Sequence, residues 1–240
     1  MLGLNAEVLA VARLSEPTQA AMYALYETYY EAISPEGFHA DLNDKDEAIL
    51  LRDERESLQG FSTLSVQSFE FQGKEHRAIF SGDTIVSRCH WGQQSLAFTW
   101  IRHAGRIKAQ AQRVPLYWFL ITKGHRTYRY LRTFSKVFYP HWQEPTPTRE
   151  QSIMDMLAGC RFGRYYDAGK GILHFPESRG HLREQWALVP VKHRQRRDVQ
   201  FFLHRNPDYV TGDELVCLTE LHVDNLQPLA RRLFAEGMRS

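Results

Sequence analysis

RAIFSGDTIVSRCHWGQQSLAFTWIRHAGRIKAQAQRVPLYWFLI, residues 77–121, holds four consecutive elements with different periods. Arg77 to Ser87 predicts a strand interrupted at Gly82. Residues 87–94 carry no acid and no clear period, so they read as a loop. Ala97, Trp100, Ile101, Ala104, Ile107 and Ala111 then recur at three- and four-residue steps, which predicts an amphipathic helix from about Ser95 to Gln112. Arg102, Arg106 and Arg113 fall off that apolar stripe. Gly105 inside the helix costs roughly 1 kcal/mol against Ala, so something local must need its small size. Pro115 ends the helix, and Leu116 to Ile121 follows as six consecutive apolar residues. Bounded by Pro115 and Gly124, this run predicts a fully buried central strand.

Upstream, Ala48 to Arg52 and Leu58 to Phe71 read as two further strands. Turns at residues 53–56 and 72–74 link them to the strand at 77 as an antiparallel meander. A helix over Thr18 to Ala32 precedes the meander, capped by Ser15 and with Pro17 early in its first turn. Ser34-Pro35-Glu36-Gly37 breaks it. Downstream, His125 to Lys136 is helical, residues 141–147 form a linker, and Glu150 to Leu157 is helical. A short strand (Ile172 to Phe175), a helix ending at residues 201–203, a strand (Glu214 to Leu221) and a final helix (Asn225 to Phe234) complete the order. The class expected is α/β (α+β), a mixed, largely antiparallel central sheet flanked by helices. The chain reads as one domain over 1–240, with a core at about 46–135 and a C-terminal extension at about 145–240.

The composition, 43% hydrophobic and 24% charged over 240 residues, is that of a globular chain able to bury a large core. Three scattered cysteines, Cys89, Cys160 and Cys217, argue against a disulfide framework and a zinc ribbon, which points to a reducing compartment. No apolar run reaches the ~20 residues of a membrane helix. Met1 to Ala12 lacks a basic start and carries Glu7, so no signal peptide is expected and a cytoplasmic location is. Charge is uneven. From Thr84 to Gln143 there is no Asp or Glu but ten Lys and Arg, whereas the rest of the chain carries a net charge of −8. Such a stretch suits an anionic partner or, more simply, forms a solvated basic face.

The chemistry concentrates between Asp83 and Gly105. Trp91-Gly92-Gln93-Gln94-Ser95 leads into a helix whose first N–H groups have no partner inside it, and such a terminus attracts phosphate. Gly92 allows close approach of a ligand, and Arg88 has the fork geometry for a phosphate. Asp83 is a carboxylate in mid-strand, which fits exposure or a general base. His90 is a second candidate base. His174, Glu177 and His181 lack the spacing of a helical metal site, so no metal is expected. Lys192 to Arg197 is a basic run that reads as a solvated helix face, with Asp198 closing it.

The order resembles the GNAT superfamily of acyl-CoA N-acyltransferases over about 46–135. It is also similar to uncharacterised GNAT-like proteins of bacterial secondary-metabolite clusters. In that family a three-strand meander leads into a pyrophosphate loop of the form Arg/Gln-x-x-Gly-x-Gly/Ala, then a long helix, a strand and another helix. Residues 88–94 occupy the loop position, with Gly92 as their only glycine. The resemblance implies that a phosphopantetheine arm enters a splay between the third meander strand and the next strand. Arg88, Trp91, Gly92, Gln93, Gln94 and Ser95 would then meet the pyrophosphate, or a carrier protein's phosphoserine. It implies an acyl-CoA or phosphopantetheine thioester as donor, a small-molecule amine as acceptor, and an acyl carrier protein as an alternative donor. Asp83 or His90 would serve as base, and Tyr128, with Tyr130 second, would protonate the departing thiolate. The alternatives are a non-catalytic module of the same fold that binds an acyl carrier or another anionic partner and, less favoured, nucleic-acid binding through the basic zone.

Overall fold

A computed structural model describes residues 3–240. Its elements run β1 (Asn5–Ala10), α1 (Glu16–Tyr29), β2 (Tyr30–Glu31), α2 (Pro35–Asn43), β3 (Glu47–Arg52), β4 (Leu58–Phe71) and β5 (Lys74–Val86). Then come α3 (Ser95–Gln110), β6 (Leu116–Thr122), α4 (His125–Phe134), α5 (Thr148–Phe162), β7 (Tyr166–Asp167), β8 (Ile172–Leu173) and β9 (His181–Leu182). The chain closes with α6 (Glu184–Ala187), α7 (Val191–Arg194), α8 (Arg197–Arg205), β10 (Glu214–Glu220) and α9 (Pro228–Arg239).

Eight strands form one sheet in the order β1-β3-β4-β5-β6-β10-β8-β7. Every neighbouring pair is antiparallel except β5 and β6, which run parallel with α3 as their crossover. The sheet is therefore mixed and mostly antiparallel, with helices on both faces. One face carries the largest core, where Trp100, Ile101 and Ala104 of α3, Leu131 of α4 and Leu233 of α9 cover Ile79, Trp118 and Cys217. On the opposite face α1 and α2 cover Leu50, Phe61 and Ile85. Beside them α5 covers Phe80, Phe119 and Val216. Among the described residues no helix is long and apolar enough to cross a membrane.

Local chemistry explains where the elements stop. Ser15 accepts a hydrogen bond from the Thr18 amide and starts α1, as expected. The helix ends at Tyr29 rather than Ala32, because Tyr30 and Glu31 pair with His181 and Leu182 as a two-stranded sheet. Ser34-Pro35 does more than break α1: the Ser34 hydroxyl accepts from the Gly37 amide and caps α2, with Pro35 in its first turn. β1 was not legible as a strand. It is an edge with mostly exposed residues and so lacks the alternation that marks a half-buried strand. Gly105 proves to be a contact point, since a Cβ there would strike the Phe234 carbonyl of α9. Gly237 is its counterpart, and a Cβ on it would strike the Arg102 carbonyl of α3. Two small residues let α3 and α9 touch backbone to backbone.

The interruption at Gly82 is a β-bulge. Ser62 pairs with Thr84 and Leu64 with Ser81, so Thr63 alone faces Gly82 and Asp83. The extra residue shifts the strand's two-residue period by one. Phe80 before the bulge and Ile85 after it consequently bury on the same side of the sheet.

Candidate functional site

β5 and β6 pair from Arg77 with Leu116 to Ser81 with Leu120, and their pairing ends there. Beyond that point β5 stays with β4 while β6 stays with β10. The two strands part, and a cleft of about 1140 Å³ opens at the gap. Gly82 to Val86 line one side and Ile121 to Gly124 the other. The cleft thus sits where the parallel β5–β6 pair gives out.

One end of the cleft is carboxylate-rich. The bulge leaves Asp83 facing it together with Asp41 of α2 and Glu214 of β10. Burial, reinforced by Asp41 and opposed by Lys123 and Lys45, pushes the Asp83 carboxyl up to about 7. Burial also raises Glu214, against the pull of Lys123, whose Nζ is 3.4 Å from its carboxylate. Lys45 has a fully buried side chain and pairs with Asp41 at 2.8 Å. The rings of Tyr26 and Tyr30 stack at 4.5 Å beside this cluster. Burial and the Asp83 charge hold both phenols well above the ordinary tyrosine range.

The other end is cationic and rich in unused amide donors. α3 begins after Gln94 with no side-chain cap and no acid in its first turn. Gly92 has a φ of 95°, in the left-handed region that favours glycine, and a Cβ there would meet open space. Trp91 donates its indole N–H to the Val86 carbonyl at 2.7 Å, which ties the loop to β5. The Arg126 guanidinium lies 4.7 Å from the centre of the Trp91 ring. Trp91, Gly92, Gln93 and Gln94 line the cleft, and Ser95 is the first residue of α3. His90 lines it too, with Nδ1 bonded to the Gln93 side chain at 3.0 Å.

Two expected roles need correction. Tyr128 is 1% exposed and packs against Phe138, Phe201 and Phe202 in the main core. Its hydroxyl donates to the Pro140 carbonyl at 2.8 Å, so it cannot act as an acid in the cleft. The tyrosine of α4 that lines the cleft is Tyr130, on the helix face of Arg126 and Arg129. Arg88 lies outside the lining. Its guanidinium is 5.5 Å from the Trp186 ring centre, and its backbone N–H donates to the Tyr29 hydroxyl at 2.7 Å. Arg126 of α4, rather than Arg88, lines the cleft beside Trp91. The histidines of the 174–181 segment are engaged elsewhere, His174 by Asp213 at 2.7 Å and His181 by Glu31 at 3.2 Å. Among the described residues no group of His, Cys, Asp and Glu could hold a metal ion.

Sequence reasoning missed Asp41, Lys123, Glu214, Lys192 and His193, all of which line the cleft. Glu214 carried the same signal as Asp83, a carboxylate in an otherwise apolar strand. Lys192 and His193 lay inside the basic run read as a solvated face.

No protein family profile and no curated protein matches the chain. Solved structures do. One is a conserved Enterococcus faecalis protein of unknown function, described as a probable N-acyltransferase. It is 14% identical with a TM-score of 0.40, over 56% of this chain and 33% of that one. The chain therefore matches only a third of that protein's length. Another is a GNAT family N-acetyltransferase from Escherichia coli in complex with CoA, 16% identical with a TM-score of 0.38, over 55% and 69% of the two chains. A third is an Arabidopsis thaliana protein in complex with a bisubstrate analogue, 13% identical with a TM-score of 0.39, over 56% and 86%.

Proposed function

We propose that this chain is a divergent GNAT-type acyltransferase that moves an acyl group from a phosphopantetheine thioester to an amine. The observation that carries the reading is the parting of β5 and β6 beyond Ser81 and Leu120, with the half-buried Asp83 carboxylate at the gap and an uncapped helix start beside it. A pantetheine arm is thin and amide-bearing, so it can enter the gap as a partial strand between two edges that no longer bond each other. Its pyrophosphate would meet the first amides of α3, with Arg126 supplying positive charge.

At the gap an amine nitrogen attacks the thioester carbonyl carbon. Asp83, once ionised, takes the amine proton, the C–S bond breaks, and the thiolate leaves with a proton supplied by a phenol. Tyr130, the α4 tyrosine that lines the cleft, would give it. Lys123 and Lys45 hold Asp83 within reach of neutral pH against the cost of burial. An acyl carrier protein presents the same arm as acyl-CoA, so either source of thioester suits the gap. The acceptor is an amine admitted from the side of Asp41 and Glu214.

Calorimetric titration with acetyl-CoA, longer acyl-CoAs and an acylated carrier protein tests the reading, followed by turnover with a panel of amines. Binding with turnover that Asp83→Asn abolishes, while thioester binding persists, is the expected result. If no thioester binds, the acyltransferase reading is lost.

A further inference from the structure

The cationic end of the cleft has a second corner, formed by α4 and α7, that shares only Arg126 with the proposed pyrophosphate position. His125, the first residue of α4, is 2% exposed, and its buried Nε2 has no hydrogen-bond partner among the described residues. His193 of α7, with its ring centre 5.9 Å away, likewise has a buried Nδ1 without a partner. Both rings line the cleft. A buried polar atom without a partner costs free energy, so two of them side by side call for something that completes their bonding. Their neighbours indicate what it is. Arg126, Arg129 and Lys192 line the same corner. α4 begins after Gly124 with no side-chain cap and no acid in its first turn.

Asp198 is the one carboxylate set against these groups among the described residues, and it is already spent. Arg196 bonds both its oxygens at 3.2 and 3.3 Å, its Oδ1 accepts the Val199 amide at 3.0 Å, and Arg129 and Arg132 lie 3.5 and 3.9 Å away. Among the described residues Arg126 and Lys192 have no carboxylate within salt-bridge distance. Burial and the surrounding cations push His125 down to about 4, so its ring is neutral until an anion arrives. The corner joins an element of the core, α4, to a turn of the C-terminal extension, α7.

We propose that this corner binds a phosphate monoester, held by His125, Arg126, Arg129, Lys192 and His193, and that the coenzyme A donor fills it with its 3′-phosphate. The assignment of that source rests on the thioester reading above. The corner itself does not, since any phosphate monoester, including one on a phosphorylated acceptor, offers the same oxygens.

Two measurements separate these possibilities. Calorimetry compares coenzyme A with dephospho-coenzyme A, for the natural chain and for Lys192→Ala. Nitrogen-15 spectra follow the His125 and His193 rings, assigned with His125→Gln and His193→Gln, during titration with adenosine 3′,5′-bisphosphate, ADP and orthophosphate. The expected result is that coenzyme A binds about tenfold more tightly than dephospho-coenzyme A, the worth of one charge-assisted bond. Lys192→Ala should cut that preference to about threefold or less, and the bisphosphate should move both rings more strongly than ADP does. If orthophosphate moves the rings while the two coenzymes bind equally, the corner stands and its phosphate comes from an acceptor. If orthophosphate moves the rings and neither coenzyme binds, the corner stands and the donor reading falls. If dephospho-coenzyme A binds but no phosphate moves either ring, the corner is refuted and the donor reading survives. Rings that respond to nothing, with no coenzyme bound, overturn both.

Discussion

Asp83 shows how a single inserted residue can make a site. Without the bulge opposite Thr63 its side chain would turn away from the side on which Phe80 and Ile85 bury, and with it away from Tyr26 and Tyr30. Burial and Asp41 raise its carboxyl to about 7, whereas in the unfolded chain it titrates near the ordinary 3.8. Between those values the folded state binds more protons than the unfolded one. This group's contribution to stability is therefore full below about pH 4 and falls as pH rises through 7. Urea midpoints should show Asp83→Asn flattening that decline between pH 5 and pH 8. Turnover should run the other way, with kcat/KM rising through about pH 7 as the base ionises, and Asp83→Asn losing about 10² to 10⁴-fold. A flat pH profile in the natural chain would remove Asp83 from the proposed reaction. The sequence marked Asp83 because a mid-strand carboxylate is unusual. It could not separate Tyr128 from Tyr130, because which of two tyrosines on one helix faces the core depends on how α4 rolls against Phe201 and Phe202.

At the scale of elements, α3 was legible nearly to its ends, because a stripe of apolar residues at helical spacing needs no tertiary information. The same holds for β4 and β6, one long and one apolar from Leu116 to Ile121. The pairing of β2 with β9 was not legible. It joins two residues each from segments 150 positions apart, and no local pattern encodes such a partnership. The α3–α9 contact lay between these cases, since Gly105 signalled a close neighbour without naming it. Gly→Ala within a helix ordinarily stabilises by up to about 1 kcal/mol. Here the sign reverses, because each new methyl would meet a backbone carbonyl of the other helix. Gly105→Ala and Gly237→Ala should each destabilise by about 1–3 kcal/mol, the usual cost of overpacking, as read from urea unfolding. A stabilising result for either would mean that the helices can move apart freely.

For the whole molecule, the division into a core at 46–135 and an extension after 145 describes the sequence better than the structure. β10 pairs with β6 along Leu215 to Glu220, and α9 closes the face that α3 and α4 begin. A chain cut after residue 140 would lose both and should fail to fold, seen as loss of the cooperative thermal transition and of solubility. If it folded cooperatively, the extension would be an appendage and the cationic corner an addition to a finished domain. The position of β10 also has a consequence in time. β6 is apolar from Leu116 to Ile121, yet the strand that covers its free edge is made well after it. On a ribosome, β1 to β6 can assemble while Leu215 to Glu220 still lie in the exit tunnel, leaving Tyr117 to Thr122 as an open edge next to a half-built core. The newborn chain is thus sticky at its centre until Leu215 to Glu220 have emerged, and slowing translation after residue 150 should send more of it into inclusion bodies.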